Sequence, residues 1–328
     1  MVREIKIDDL TCQKGEKIRG WVDICLTYNQ PIRIPVIIVC GKEAGRTLCV
    51  TAATHGDEYE GIDAIISLAS DLDPAEMSGN LLAFPVLNVI AFDDIFRVGH
   101  YDYLNLNRSF PGNKDGFLTE RITSKMIDIL FNGTKIDALI DFHGGGWEKF
   151  IGPLATFSDS EACEGHFTTL DLAKSMGSTL LWKRTYPPDS IAGYCAKRGV
   201  PAIVFEAGGG GSLNESIVSG NVNGLKNVMK RMGILQGELT NLPKEYVAIG
   251  GALVHSKTGG FWRLKSCQVG DAVNKGDFLG EIVDLHGNVI ETFTAGTDGL
   301  VVCFRTGPRV HPGDWVYWVG PVLETLRG

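Results

Sequence analysis

Short β-branched runs alternate with longer helix-like segments from about residue 36 to residue 242. The strand-like runs are Val36–Cys40, Leu48–Ala53, Leu81–Leu87, Ala138–Phe142, Thr179–Trp182 and Ala202–Phe205, and the helix-like segments are Tyr59–Leu72, Thr119–Phe131, Glu161–Met176 and Leu213–Met232. Strands that alternate with helices are typical of a sheet with helices packed on its faces. The alternation therefore predicts an α/β domain over residues 1–242 with a mixed, largely parallel sheet. Residues 1–35 form a β-rich N-terminal extension of this domain.

The pattern changes near residue 243, where the helix-like segments stop. Short strand-like runs then recur between Gly-Asp or Asp-Gly turns, such as Gly270-Asp271 and Asp298-Gly299. Regular turns between short strands predict a small all-β domain over residues 243–328. This region is similar to barrel-sandwich domains that carry biotin or lipoate, but the corresponding turn, Thr294–Gly299, has no lysine for such a group. We therefore expect a lid, a wall of the substrate pocket or an oligomer contact.

Charge and composition exclude several classes of function. The net charge is −8, and no basic stripe is present, so a nucleic-acid partner is not expected. The longest apolar stretches, such as Ile62–Ala69, are far shorter than the ~20 residues that span a bilayer. The eight cysteines are scattered without a C-x-x-C pair, which favours reduced thiols in the cytoplasm. We expect a cytoplasmic protein with a small-molecule partner, no membrane association and a possible homo-oligomeric state.

Polar side chains follow three of the predicted strands. His55 and Glu58 come after the second strand, His143 after the fourth and Glu206 after the sixth. Each has a structural explanation of its own: a helix-capping group, a core histidine or a structural ion pair. Open α/β sheets, however, bind ligands at the carboxyl ends of their strands. The four side chains together therefore predict one site at this edge.

Two glycine clusters lie at the same strand ends. Glycine makes up 41 of the 328 residues, against a typical share of about 7%. Gly144–Gly146 follow His143, and Gly208–Gly211 follow Glu206. Without side chains, these segments let substrate or backbone come close to the predicted site.

The residue types at this edge indicate metal-assisted hydrolysis. Two histidines and a glutamate are a ligand set of catalytic zinc sites, which leave one position open for water. A separate glutamate serves as general base. Arg97 and Arg108, in the segment after the third strand, are suited to polarising a carbonyl and holding a carboxylate.

The order of these residues resembles a known family. His55-x-x-Glu58, Arg97, Asn107-Arg108, His143 and Glu206 occur in the order found in the zinc carboxypeptidase-like superfamily. Within it, the segments His-Gly-Asp-Glu and Asn-Leu-Asn-Arg-x-Phe-Pro-Gly, with the β-rich C-terminal region, resemble the succinylglutamate desuccinylase/aspartoacylase family over residues 36–325. The resemblance implies a zinc-carboxypeptidase-like α/β/α sandwich with a small C-terminal barrel-sandwich-like domain.

The resemblance also implies a role for each matching residue. His55, Glu58 and His143 would hold one Zn²⁺ per chain. Glu206 would be the base and proton shuttle, and Arg97 would stabilise the oxyanion. Asn107 and Arg108 would anchor a substrate carboxylate.

Two positions depart from the family pattern, and the first is Asn88-Val89, where family members often have Asn-Pro. Where related enzymes have an aspartate that supports a zinc-bound histidine, this chain has Asn105. Asp57 and Asp141 are the candidates for orienting His55 instead, because groups behind a ligand tune the metal. Two further sets of candidates are Lys197 or Arg198 as a second carboxylate contact, and Tyr101, Tyr103, Trp147 and Tyr194 as pocket-lining aromatic side chains.

The sequence therefore supports three hypotheses. The first is a zinc-dependent hydrolase that removes an acetyl- or succinyl-type group from an N-acyl amino acid or diamino acid. The second is a zinc carboxypeptidase that uses the same site on short peptides. The third is a metal-free binding protein on the same scaffold.

Overall fold

Strands and helices alternate up to residue 231, and strands alone follow, in the residues that the computed structural model describes: 4–158, 167–251, 253–265 and 267–328. The strands are β1 (Ile5–Ile7), β2 (Leu10–Cys12), β3 (Lys17–Leu26), β4 (Pro31–Cys40), β5 (Glu43–Thr51), β6 (Ser78–Phe84), β7 (Ala138–His143), β8 (Lys149–Phe157), β9 (Leu180–Lys183), β10 (Ala202–Gly209), β11 (Glu245–Ile249), β12 (Leu253–His255), β13 (Gly260–Leu264), β14 (Ala272–Val273), β15 (Phe278–Val283), β16 (Val289–Thr294), β17 (Gly299–Arg305), β18 (Arg309–Val310), β19 (Trp315–Gly320) and β20 (Val322–Arg327). The α-helices are α1 (Glu60–Asp71), α2 (Val89–Asp93), α3 (Leu118–Ile127), α4 (Thr169–Ser175), α5 (Ile191–Lys197) and α6 (Glu215–Arg231), with 3-10 helices at Pro74–Glu76 and Leu106–Arg108 and a π-helix at Asp128–Thr134.

One large mixed sheet organises the molecule. Over the described residues it has fourteen strands, with the main order β12-β19-β17-β8-β10-β7-β5-β6-β4-β3. The central strands β6, β5, β7 and β10 run parallel to one another, whereas β4 and β8 flank them in antiparallel orientation. The predicted fold class is confirmed: helices lie on both faces of a mixed sheet, and a further all-β sheet follows.

Two apolar layers hold the helices against this sheet. Helices α1, α4 and α6 contribute to the core on one face, and α3 and α5 to the core on the other. Strand β7 serves both layers, because its alternate side chains point to opposite faces. Ile140 and Phe142 pack in the first core and Leu139 in the second. Asp141 and His143 continue the spacing of Leu139, so the strand presents both on one side.

The C-terminal strands extend the same large sheet and add a second one. Strand β17 pairs with β8 in antiparallel orientation, with Cys303 opposite Ile151. Strands β16, β15, β13 and β18 form a four-stranded sheet. The apolar core between the two sheets includes Trp262, Val301 and Val316. The boundary between domains at residue 243 stays a prediction.

Strand β8 was not predicted from the sequence. It contains Gly152 and Pro153, a pair typical of turns. The structure accommodates them at an irregularity in the pairing with β10, between Glu206 and Gly208. A proline lacks a backbone donor and is tolerated in a sheet at such a bulge. This strand connects the C-terminal strands to the predicted site.

Three of the four predicted helices correspond to α1, α3 and α6, with ends that differ by a few residues. The fourth prediction, Glu161–Met176, falls partly on residues 161–166, which lie outside the described residues, and its remaining part contains α4. The short helices α2 and α5 were not predicted. Among the described helices, none combines the length and apolar character needed to cross a membrane.

Arg305 is a buried cation that connects the two sheets and pairs with two partly exposed carboxylates, and replacing it is expected to destabilise the protein. The side chain is 2% exposed, and its Nη2 lies 2.8 Å from Glu148 and 3.3 Å from Asp314. Its Nε donates to the Gly307 and Arg309 carbonyls at 3.1 Å. Arg305→Met removes these donors, and we expect a loss of about 2–4 kcal/mol in unfolding free energy by urea titration.

Arg309→Met is the matched control for this prediction. Arg309 faces the same Glu148 carboxylate at 3.7 Å, but its side chain is 76% exposed. Exposed ion pairs contribute about 0–1 kcal/mol, so the control should unfold close to the unmodified protein. Equal destabilisation by the two substitutions would contradict a special role for the buried arginine.

Candidate active site

The predicted site residues meet at the carboxyl ends of three adjacent strands. Strands β5, β7 and β10 are neighbours in the parallel part of the sheet. His143 ends β7 and lies opposite Glu206 of β10 in the pairing register. His55 and Glu58 lie in the segment between β5 and α1. The fold thus brings together four residues that are far apart in the sequence.

Three buried side chains converge on one point. The Nδ1 atom of His55 lies 2.8 Å from Glu58 Oε1, and the Nδ1 atom of His143 lies 2.8 Å from Glu58 Oε2. The two Nδ1 atoms are 3.1 Å apart. All three candidate ligand atoms lie within 4.8 Å of one another. The structure therefore offers two imidazole nitrogens and a carboxylate to a single ion.

The outer nitrogens of both histidines face acceptors. His143 Nε2 lies 2.8 Å from Asp141 Oδ2, and His55 Nε2 lies 3.2 Å from the amide oxygen of Asn105. With the protons on both Nε2 atoms, both Nδ1 atoms would present their lone pairs to an ion between them. A cation between them satisfies these lone pairs, and nitrogen and carboxylate oxygen are ligands that Zn²⁺ takes. The donor set thus fits a zinc ion.

Asn105 itself is the partner of the outer nitrogen of His55. Its amide oxygen also accepts a hydrogen bond from the Asn107 backbone at 2.9 Å, which fixes its direction. Neither alternative candidate contacts His55 in this way. Asp141 faces His143, and Asp57 accepts from the Trp147 backbone at 3.2 Å. An amide oxygen accepts from an imidazole N–H as an aspartate would, without adding a charge.

The protonation preferences of the three residues suit a metal centre. Burial lowers the pKa of His55 to about 4, although the Glu58 carboxylate opposes this shift. Burial also acts against the charged form of His143, but the Asp141 and Glu58 carboxylates raise the pKa of His143 well above its usual value. Despite its own burial, Glu58 has a pKa held below the usual range by the two imidazoles. A metal would replace the proton that His143 otherwise shares with Glu58.

Asp141→Asn is expected to weaken metal binding by about 10- to 100-fold. Asp141 is fully buried and accepts hydrogen bonds from Thr51 at 2.7 Å and Thr54 at 3.1 Å through Oδ1, while Oδ2 faces His143. If Oδ1 keeps both threonine donors, the amide NH₂ of the variant faces His143 Nε2. That contact favours the tautomer with the proton on Nδ1, where the ion would bind. Competition with a zinc-binding dye measures the affinity.

Asp57→Asn is a control for this prediction, since Asp57 also lies near the candidate ligands but faces the Trp147 backbone. We expect its metal affinity to change by less than about threefold. Equal affinity of the Asp141 variant and the unmodified protein would contradict the assigned tautomer.

Glu206 lies in the wall of a cavity next to the candidate ligands. Its side chain is half-buried, and burial raises the pKa of its carboxyl to about 7. The Glu58 carboxylate raises this pKa further, whereas His143, Arg184 and Arg97 lower it. Glu206 is therefore a carboxyl group poised to take up or release a proton near neutral pH.

The three other predicted residues line the same cavity. Arg97 is half exposed, and its Nη1 lies 3.3 Å from Glu58 Oε1. Asn107 is buried; its side-chain oxygen accepts from the Ile191 backbone at 3.2 Å, and its Nδ2 lies 3.1 Å from His143 Nε2. Arg108 is exposed and donates to the Asn107 carbonyl. The structure thus brings six of the seven predicted site residues around one cavity, and Glu58 contacts two of them, His55 and His143.

The cavity has a volume of about 270 Å³, and several residues of its wall were not predicted. Lys149, Trp182, Arg184 and Tyr186 come from β8 and the segment around β9, and Trp315 and Trp318 come from β19. Three of these residues could have been found from the sequence. Trp182, Arg184 and Tyr186 occur at every second position, the spacing that places side chains of an extended segment on one side. The C-terminal strands therefore form a wall of the pocket, which is one of the three expected roles.

The other proposed pocket residues lie elsewhere. Tyr101, Tyr103, Trp147 and Tyr194 are absent from the described lining of this cavity. Lys197 and Arg198 are exposed: Lys197 donates to the Pro188 carbonyl at 3.1 Å and Arg198 to the Tyr194 hydroxyl at 2.7 Å. Helix α5 carries its cations toward the surface, and the basic groups of the cavity wall come from other elements.

The two glycine clusters pack against each other beside the cavity. The Gly145 amide donates to the Gly208 carbonyl at 3.1 Å, and Gly211 donates to Gly146 at 3.2 Å. A Cβ atom on Gly145 would lie 2.2 Å from the Lys149 carbonyl oxygen. Gly208 has a φ of 85°, a conformation that favours glycine. Close backbone contact thus accounts for Gly145, whereas at Gly208 a Cβ atom would meet the Glu60 side chain.

Comparison with known proteins places this geometry in a family. The succinylglutamate desuccinylase/aspartoacylase catalytic domain matches residues 44–232. The chain is 29% identical over 303 residues to N-alpha-acetyl-L-2,4-diaminobutyric acid deacetylase of Halomonas elongata, covering 90% of this chain and 87% of that protein.

Solved structures agree with this assignment. The product-bound ectoine utilization protein EutE (DoeB) of Ruegeria pomeroyi is 27% identical, with a TM-score of 0.85 and coverage of 95% of this chain and 98% of that one. A succinylglutamate desuccinylase/aspartoacylase of Rhodobacter sphaeroides is 25% identical, with a TM-score of 0.85 and coverage of 98% and 100%. The family's catalytic domain matches more than half of this chain. This chain therefore belongs to the succinylglutamate desuccinylase/aspartoacylase family.

Proposed function

We propose that this protein is a zinc-dependent amidohydrolase that removes an acyl group, of acetyl or succinyl type, from an N-acyl amino acid or diamino acid. The observation that carries the proposal is the convergence of His55, Glu58 and His143 on one point, beside a cavity that also contains Glu206. Membership of a deacylase family and the name of the Halomonas relative support the same chemistry.

In this mechanism His55, Glu58 and His143 hold the metal, and Glu206 moves the proton. A bound zinc ion supplies a Lewis acid for the carbonyl and lowers the pKa of water. The Glu206 carboxylate takes a proton from the attacking water molecule, whose oxygen forms a bond to the acyl carbon. The same carboxyl then gives the proton to the amide nitrogen as the carbon–nitrogen bond breaks. The products are a carboxylate and a free amine.

Two arginines orient the substrate in this proposal. Arg97 faces the carbonyl oxygen as negative charge develops there, which preorganised donors stabilise more in a dry site than in water. Arg108 binds the substrate carboxylate, since its guanidinium lines the cavity and offers planar donors. Asn107 fixes the backbone next to Arg108, because its side-chain oxygen accepts from the Ile191 backbone at 3.2 Å.

The size of the cavity favours a small substrate over a peptide. Its volume of about 270 Å³ is just below the ~300–1,000 Å³ of most small-molecule sites. Trp315 and Trp318 from the C-terminal strands contribute to its wall. This supports a deacylase of small metabolites over a carboxypeptidase.

Metal analysis and a substrate screen test the proposal. Protein purified without chelator should contain about one zinc per chain, and chelation should abolish activity that added zinc restores. Amine release should occur with N-acyl amino acids and be absent with dipeptides. Absence of zinc with no uptake on reconstitution would leave the binding-protein hypothesis, and preferential cleavage of dipeptides would favour the carboxypeptidase.

A further inference from the structure

The loop of residues 94–100, here called the arginine loop, carries Arg97 to the catalytic cavity. Arg97 lies midway along this loop and lines the cavity. Its side chain is 47% exposed, and its Nη1 lies 3.3 Å from Glu58 Oε1. A long, half-exposed side chain has many rotamers, so its direction depends on how firmly the backbone beneath it is held. The role proposed for Arg97 therefore requires an anchored loop.

Helix α2 directs the chain into the arginine loop through a tight turn at its end. The Ile95 amide donates to the Phe92 carbonyl at 3.1 Å, and the Phe96 amide donates to the Ala91 carbonyl at 3.0 Å. These are the two bonds of a Schellman motif, whose left-handed position is usually glycine. Ile95 occupies that position with a φ of 51°. A β-branched residue is costly there and persists only where its surroundings fix the backbone.

Helix α2 is itself packed against the segment that contains the candidate metal ligands. A Cβ atom on Gly56 would overlap the Ala91 carbonyl group, so the two backbones are in direct contact. The Gly56 amide also donates to the Phe96 carbonyl at 3.1 Å. Because Gly56 directly follows His55, the start of the arginine loop is fixed relative to the candidate metal site.

Asp94 closes the arginine loop by contacting both the backbone and the ring of His100. Its Oδ2 accepts from the His100 amide at 2.9 Å, and His100 Nδ1 lies 2.7 Å from Oδ2 and 2.8 Å from Oδ1. The His100 ring also stacks on the Tyr101 ring, with centres 4.4 Å apart. These hydrogen bonds span six positions, with Arg97 at the centre. One carboxylate thus joins the two ends of the loop.

The residues beyond His100 are anchored to helix α3. Asp102 accepts from the Thr119 amide at 2.8 Å and from the Thr119 hydroxyl at 2.9 Å. Within the loop, Gly99 is buried against α2, where a Cβ atom would come within 2.9 Å of the Ile90 side chain. The contact between Asp94 and His100 therefore lies between two fixed supports. Removing it should loosen the segment around Arg97 while both helices stay in place.

We infer that Asp94 is a positioning residue, whose carboxylate holds the arginine loop closed and thereby sets the direction of the Arg97 guanidinium. This inference rests on the proposed function, in which Arg97 faces the carbonyl oxygen of the substrate. Asp94 acts through Arg97 and makes no contact of its own with the reacting atoms. Charge that develops in the transition state is stabilised best by donors that are already in place. Loss of the Asp94 carboxylate should therefore slow the chemical step and leave substrate binding nearly unchanged.

A double-variant cycle tests the inference by steady-state kinetics on the N-acyl amino acid that is hydrolysed fastest. Asp94→Ala should lower kcat by about 10- to 100-fold, the cost of a small misplacement, with KM changed by less than about twofold. Arg97→Gln alone should lower kcat by about 10²- to 10³-fold. In the Arg97→Gln background, Asp94→Ala should have no further effect, because the side chain that it positions is gone.

Two control variants separate positioning from other effects. Asp94→Asn keeps an oxygen that accepts from His100 but lacks the charge, so kcat should stay within about threefold of that of the unmodified protein. Asp284→Ala removes a comparable carboxylate, which accepts from the His286 amide at 2.9 Å in an exposed turn of the C-terminal region. It should leave kcat and KM unchanged. An Asp94→Ala effect in KM alone, or one that adds in full to that of Arg97→Gln, would overturn the inference.

Hydrogen exchange tests the closed loop without any reaction. In Asp94→Ala, the amides of residues 97–100 should exchange at least about tenfold faster than in the unmodified protein, while those of α3 keep their protection. Unchanged exchange in this segment would overturn the inference alone. If Arg97→Gln leaves kcat unchanged, the role proposed for Arg97 fails, and the inference fails with it. If no N-acyl amino acid is hydrolysed, the proposed function itself fails.

Discussion

Glu58→Gln is expected to remove the metal and, with it, all measurable hydrolysis. Glu58 is 4% exposed, and its two oxygens contact the Nδ1 atoms of both histidines at 2.8 Å. The glutamine amide carries no charge, and its NH₂ group would donate to one of these nitrogens and occupy the lone pair that an ion needs. Metal content should fall from about one ion per chain to below ~0.1. Elemental analysis after dialysis against zinc and an amine-release assay measure the two effects.

Glu60→Gln is a matched control two residues along the chain. Glu60 is 2% exposed, but its carboxylate accepts from the Gly209 backbone at 3.1 Å and is not part of the group of candidate metal ligands. Burial raises the pKa of its carboxyl, so a neutral amide suits this position. The control should keep about one ion per chain. Full zinc content in the Glu58 variant would contradict the ligand assignment, and equal loss in both variants would indicate general disruption of this segment.

The position of the candidate site could be predicted because strand ends are visible in a sequence. His143 and Glu206 each close an apolar run, and the parallel pairing of β7 with β10 places them side by side. The strands themselves are recognisable because both faces of the central sheet are buried, which makes these runs almost continuously apolar. Parallel topology then converts sequence-distant residues into neighbours.

The orientation of the candidate ligands was harder to predict. Asp141 and His143 share one side of β7 through their two-residue spacing, so a local pattern already paired them. The sequence also offers Asp141 as a partner of His55, but the structure places Asn105, from a different loop, in that position. No periodicity links positions in separate loops, because their distance depends on how both loops pack. Contacts of this kind need the three-dimensional structure.

The cavity wall was missed for a related reason. Trp182 and Trp318 pack together although 136 positions separate them in the sequence. They meet because β17 pairs with β8, and β8 contains the Gly-Pro pair that hides it as a strand in the sequence. An exposed aromatic residue and a cavity-lining one look alike in a sequence. Lys149 was hidden with β8, the strand that carries it, whereas Arg184 lies just beyond a strand that the sequence predicts.

Glu206→Gln is expected to lower kcat by about 10²- to 10⁴-fold, the range for removal of a general base, with little change in KM. The glutamine keeps the size of the side chain but cannot take a proton from water. In the folded protein burial raises the pKa of the Glu206 carboxyl to about 7, so its ionisation costs folding free energy at neutral and higher pH. The amide avoids this cost, and we expect a melting temperature no lower than that of the unmodified protein.

The metal content of the Glu206 variant decides what a loss of activity means. Glu206 is not one of the three residues that converge on the ion, so about one zinc per chain should remain. Glu206→Asp keeps a carboxylate but withdraws it by one methylene, and an intermediate rate is expected because proton transfer needs hydrogen-bond reach. Full activity in Glu206→Gln would remove the base from this position. Lost zinc in that variant would instead make Glu206 a ligand and require a different group to move the proton.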